Sequence, residues 1–125
     1  MPTTLQPLAP PVIADRLARE LPRWTLAHGQ LERTYVTENW KSTLMAVVAL
    51  GHLAEAAWHH PELEVTYRQV RVRLSTHEAG GVTDRDFELA RKMEAVLLWQ
   101  PGQEGGALTG TPQDPASRYL HYPDA

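Results

Sequence analysis

The stretch from Trp40 to Trp58 constrains this chain more than any other. Trp40, Leu44, Val47, Gly51, Ala54 and Trp58 recur every three or four residues, the spacing of one helical face. Asn39, just before them, is a residue type that caps a helix start by accepting a backbone N–H. Pro61, just after them, bars a clean continuation, because the residue before a proline avoids the helical region. The pattern predicts one long helix bounded on both sides. Met45, Val48 and Leu53 lie off that stripe, and a second apolar face predicts self-association.

Short strand pairs flank this helix. Trp24 to Ala27 and Leu31 to Val36 read as strands, with Gly29 supplying the tight turn of a hairpin. Glu64 to Tyr67 and Val70 to Thr76 read as a second pair. In the latter, Val70, Val72, Leu74 and Thr76 alternate with Arg71, Arg73, Ser75 and His77, the period of a strand with one buried face. Val12 to Leu21 predicts a short first helix stopped by Pro22. Thr83 with Asp86 three residues later resembles a capping box. It opens a last helix whose buried face is Phe87, Ala90, Met93 and Leu97. The fold class expected is α+β: a four-stranded antiparallel sheet with three helices on one face, in the order α-β-β-α-β-β-α.

One domain over residues 12–99 fits a chain of 125 residues. Residues 1–11, with four prolines, predict a flexible arm. Residues 100–125 hold four glycines and four prolines and predict an extension anchored by Tyr119, Leu120 and Tyr122. The net charge is −3. Arg68, Arg71 and Arg73 cluster, but Glu62 and Glu64 lie just upstream, so no nucleic-acid partner is expected. No apolar run has the length of a membrane span, and no basic-then-apolar leader begins the chain. A cytoplasmic protein without membrane contact is expected. The absence of cysteine excludes thiolate chemistry and zinc–sulfur sites.

The chemistry-bearing residues gather at element ends. Glu55 and His59 are four apart on the long helix, and a carboxylate there is expected to orient the imidazole. His59 and His60 fall where the helix ends and the chain turns, so adjacent side chains can aim at one pocket. The strand from Val70 to Thr76 delivers His77 at its end. Three imidazoles converging on a cleft can move protons near neutral pH. The bland readings are concrete too. His28, His52 and His121 are expected to be structural, and Asp86 is accounted for as a helix cap. Three histidines also form some zinc sites, but no helical His-x-x-x-His pair is present.

Taken together, Glu55-x3-His59-His60-Pro61-x5-Tyr67-x9-His77-x8-Asp86 resembles the signature of the pterin-4a-carbinolamine dehydratases. Thr76-His77-Glu78-Ala79-Gly80-Gly81-Val82-Thr83 and Asp86-Phe87-x-Leu89-Ala90 extend the similarity, which spans about Val12 to Leu97. The resemblance implies loss of water from 4a-hydroxytetrahydropterin to give quinonoid dihydropterin, with the pterin as substrate and neither metal nor organic cofactor. It implies that His59 and His77 transfer protons around the hydroxyl, while His60 positions the pterin and shares that work. Glu55 and Asp86 would support them. Ser75, Thr76, Pro61 and Trp58 would contact the substrate. It further implies a homodimer or homotetramer and a functional link to an aromatic amino acid hydroxylase. The alternative it leaves open is a binding protein on the same scaffold, acting as a dimerisation or assembly cofactor.

Overall fold

A computed structural model describes residues 5–123; residues 1–4 of the expected arm and 124–125 of the extension lie outside the described residues. The element order is α1 (Pro10–Glu20), β1 (Thr25–Ala27), β2 (Gln30–Val36), α2 (Trp40–Ala57), β3 (Glu62–Thr66), β4 (Gln69–Leu74) and α3 (Asp84–Leu97). Short 3-10 turns follow at His77–Ala79 and Pro101–Gln103. The four strands form one antiparallel sheet in the order β1-β2-β4-β3. This is the α+β architecture expected from the sequence.

Local chemistry accounts for the boundaries. α1 begins at Pro10 rather than Val12, because Pro10 and Pro11 sit in the first turn, where a missing N–H has no intrahelical partner to lose. The chain just before it is held, since the Leu8 N–H donates to the Val82 carbonyl at 2.8 Å. Between β1 and β2, His28 (φ 52°) and Gly29 (φ 76°) both adopt the left-handed region. Two such residues make the two-residue turn whose twist matches a hairpin.

β4 lies inside the sheet, and Val70, Val72 and Leu74 are fully buried on its helical face. Leu31 and Tyr35 of β2 pair with Leu74 and Val70 and join that face. The opposite face is a lattice of charge. Arg73 bonds Glu32 at 3.0 Å and approaches Glu64 at 3.5 Å, while Arg71 lies 3.6 Å from Glu64. The arginines that look like a basic cluster in sequence are thus matched by carboxylates one strand away.

The buried face of α2 differs from the expected stripe. Thr43, Ala46, Leu50 and Ala54 face the core, whereas Trp40, Leu44 and Trp58 are exposed. The helix is apolar nearly all round, so helical spacing fits several rotations equally well. Polar anchoring fixes one of them. Asn39 caps Ser42 N–H at 2.9 Å, and the Thr43 hydroxyl reaches the Tyr67 carbonyl at 2.7 Å. α3 follows its expected pattern: Phe87, Ala90, Met93 and Leu97 are buried, with Leu89 beside them.

The C-terminal extension returns to the sheet. Leu120 forms an antiparallel bridge with Thr37, is 1% exposed and belongs to the hydrophobic core. The His121 N–H donates to the Val36 carbonyl at 2.9 Å. Glu38 accepts from Arg118 Nε at 2.9 Å and pairs with His121 Nε2 at 2.7 Å. Those two partners, Arg118 first, hold the Glu38 carboxyl below its ordinary value of 4.5. A depressed carboxylate contributes stability above its unfolded pKa and loses it as pH falls through the folded one. Acidification below about pH 4.5 should therefore release residues 118–122, with their amide resonances moving toward unstructured positions before those of β4. Glu38→Gln should remove that step; an unchanged step in the variant would assign it to another group.

Candidate active site

The site begins with how α2 stops. Trp58 takes the left-handed conformation (φ 51°, ψ 46°) at the helix end. Its N–H donates to the Glu55 carbonyl at 3.2 Å, and the His59 N–H donates to the Ala54 carbonyl at 3.1 Å. These are the paired bonds of a Schellman ending, in which the left-handed residue is usually glycine. A tryptophan there carries a steric cost of about 1–2 kcal/mol. The turn splits the next two side chains: His59 goes inward, its side chain 12% exposed, and His60 outward at 53%.

His59 Nε2 lies 2.6 Å from Asp86 Oδ1. Asp86 has no exposed surface. Its Oδ2 accepts the Thr83 backbone N–H at 2.8 Å, which is the capping-box bond, and the Thr76 hydroxyl at 2.8 Å. The cap and the site are therefore one group. With two donors already on Oδ2, Oδ1 is the natural acceptor for an Nε2–H of His59. That tautomer leaves Nδ1 as the free nitrogen.

Glu55 departs from its expected role. Its Oε1 lies 2.9 Å from His60 Nε2, not against His59. The left-handed turn carries His59 away from the helix face that Glu55 occupies and brings His60 back over it. Trp58 stands edge-on to His60, ring centroids 5.1 Å apart at 80°. Glu55, Trp58 and His60 form one exposed group; His59, Asp86, Thr76 and Thr83 form a buried one.

Thr76 also departs from expectation. It is fully buried, and its hydroxyl is committed to Asp86 and Thr83. It supports the carboxylate instead of facing a ligand. Ser75 is half-buried and close to Gln30, whose Nε2 donates to Ser75 Oγ at 3.3 Å. His77 is exposed at the start of its 3-10 turn, one residue beyond Thr76. It is thereby tied through the backbone to the group holding His59. Pro61 is half-buried and leads into β3. A cavity of about 540 Å³ opens between the end of α2 and the start of α3, walled by Trp58, His59, Leu53 and Leu89, with Arg85 and Lys92 among its polar residues. His60 and His77 are not part of its wall. Among the described residues, no group of three or more His, Asp or Glu side chains is arranged to hold a metal ion. The left-handed Trp58 was not foreseeable, because no glycine marks the turn. Thr83 is legible only as a cap, and for Arg85 and Lys92 the one signal is their i, i+7 spacing on α3.

Residues 6–96 match the family model described as pterin 4 alpha carbinolamine dehydratase. A relative in Aquifex aeolicus, provisionally named a pterin-4-alpha-carbinolamine dehydratase, is 43% identical over 86 residues, covering 66% of this chain and 87% of the relative. A similarly named protein of Acidobacterium capsulatum is 40% identical over 90 residues, covering 72% and 97%. Among solved structures, a transcriptional coactivator/pterin dehydratase from Brucella melitensis superposes with a TM-score of 0.66 at 30% identity, over 73% of this chain and 98% of that one. Sequence, fold and neighbours agree: this chain belongs to the pterin 4 alpha carbinolamine dehydratase family.

Proposed function

We propose that the protein dehydrates a 4a-hydroxytetrahydropterin by histidine acid/base catalysis, recycling the pterin used by an aromatic amino acid hydroxylase in the cytoplasm. The observation that carries this reading is His59, held at Nε2 by a buried carboxylate beside a cavity large enough for a bicyclic ring. An acid protonates the 4a-hydroxyl, the C–O bond breaks with departure of water, and a base removes a ring N–H proton. The product is the quinonoid dihydropterin. His59 and His77 carry these transfers in this reading, with Nδ1 of His59 as the working nitrogen. His60, steadied by Glu55 and Trp58, positions the ring and shares proton transfer. Trp58 and Pro61 border the substrate, and Ser75 meets its polar edge. The chemistry uses imidazole alone, with no metal or organic cofactor.

A second reading has its own observation. Leu44, Met45, Val48 and Ala49 of α2 line an exposed apolar hollow of about 510 Å³, and Val48 is 70% exposed. That face fits self-association into a dimer or tetramer, or the binding of a partner protein by a dehydratase-like scaffold. The Brucella melitensis neighbour's description as both coactivator and dehydratase suits such a dual use.

His59→Ala and His77→Ala should each lower the rate of 4a-hydroxytetrahydropterin breakdown by about 10²–10⁴-fold with circular dichroism unchanged. Wild-type protein that gives no acceleration over buffer would remove the catalytic reading. Trp58→Gly should relieve the left-handed strain and raise stability by about 1 kcal/mol in urea titration. It should at the same time weaken catalysis through a freer His60 and a lost cavity wall. A variant that is both more stable and fully active would leave the indole without a part in the reaction. Val48→Asp should reduce the assembly mass in sedimentation while sparing the fold; an unchanged mass would clear that face of any role in assembly.

A further inference from the structure

β2 is longer than the strand that covers it. β1 pairs only with Gln30, Leu31 and Glu32, so the outer edge of β2 from Arg33 to Val36, and Thr37 after it, has no strand from the sheet beside it. An uncovered edge of this kind presents backbone groups to any extended segment that comes near. Here its outward carbonyls are occupied by other means. The Arg33 guanidinium folds back over the Tyr35 ring and donates to the Thr34 carbonyl at 2.7 Å. The next outward carbonyl, that of Val36, takes the His121 N–H.

The segment that supplies His121 lies outside residues 6–96, the part that matches the family model. It is built to stay. Leu120 pairs with Thr37 and is buried in the core, with Tyr119 and Tyr122 packed against it. Glu38 clasps Arg118 and His121 on either side of it. Upstream, the backbone of Gly102 approaches the Thr109 carbonyl so closely that no Cβ would fit, so the connecting segment is folded onto itself. The clasp sits at the start of α2, while His59 and His60 follow its end. An α-helix of 18 residues separates them, roughly 27 Å.

We propose that Arg118–Tyr122 is an edge-closing strap: it occupies, within its own chain, a strand-addition site on β2 that would otherwise pair with the β2 edge of a second copy. Two β2 strands meeting edge to edge would run antiparallel about a twofold axis, the geometry of a self-complementary contact. The strap denies that contact, leaving other surfaces to set the assembly.

The experiment uses the full chain. In the wild type, hydrogen exchange at the His121 amide should be slowed as in a paired strand; exchange at the unstructured rate would overturn the proposal. Leu120→Asp should free the strap and raise the mass in a sedimentation concentration series by about twofold over wild type. Excess synthetic peptide of residues 112–122 should reverse the rise by refilling the edge. Freed strap amides with unchanged mass would overturn the proposal, as would a mass increase that the peptide fails to reverse. If Leu120→Asp does not fold, His121→Pro provides the same comparison, since it deletes the single N–H that reaches Val36.

Discussion

The Asp86 carboxylate is the interaction on which the rest of the site depends. It is fully buried, and its two oxygens gather a backbone N–H at the start of α3, a hydroxyl at the end of β4 and an imidazole after α2. A buried carboxylate is costly unless its lone pairs are satisfied. Here satisfying them requires three separate elements to meet at one point. The same bonds that cap a helix therefore fix where the turn carrying His59 must lie. Stability and site geometry cannot be adjusted separately at this position.

How much of this was legible in the sequence depended on whether a pattern had one solution. β4 alternates strictly, and its buried and charged faces follow directly. Thr83 and Asp86 have the capping-box spacing, and the box forms. α2 was legible as a helix but not in its rotation, because apolar residues surround it. Only the cap of Asn39 on Ser42 and the bond from Thr43 to Tyr67, in the turn after the following strand, select the buried face. The pairing of Glu55 with His60 was hidden for a similar reason. It follows from a backbone angle at Trp58 that a tryptophan gives no hint of adopting.

The outer sheet face shows a complementary lesson about charge. Arg71 and Arg73 read as a basic cluster along the chain, yet antiparallel register sets them opposite Glu62, Glu64 and Glu32. One row alternates in sign, Glu62–Arg73–Glu32, and the next pairs Glu64 with Arg71, so that face projects little net field. What remains exposed and apolar is concentrated on α2 and at Trp58, Tyr67 and Trp99. Contacts with other molecules are thereby directed to the helices and the ends of the strands.

Leu120 completes the core of this protein from well beyond the elements that form the sheet layer. Every strand and helix of the sheet layer precedes residue 98, yet a side chain more than twenty positions later fills the space beside Thr37. A chain that carries all of these elements but stops short of Leu120 thus has its sheet layer and one seam unsealed beside Thr37. Premature termination anywhere in the glycine- and proline-rich stretch would leave that seam open.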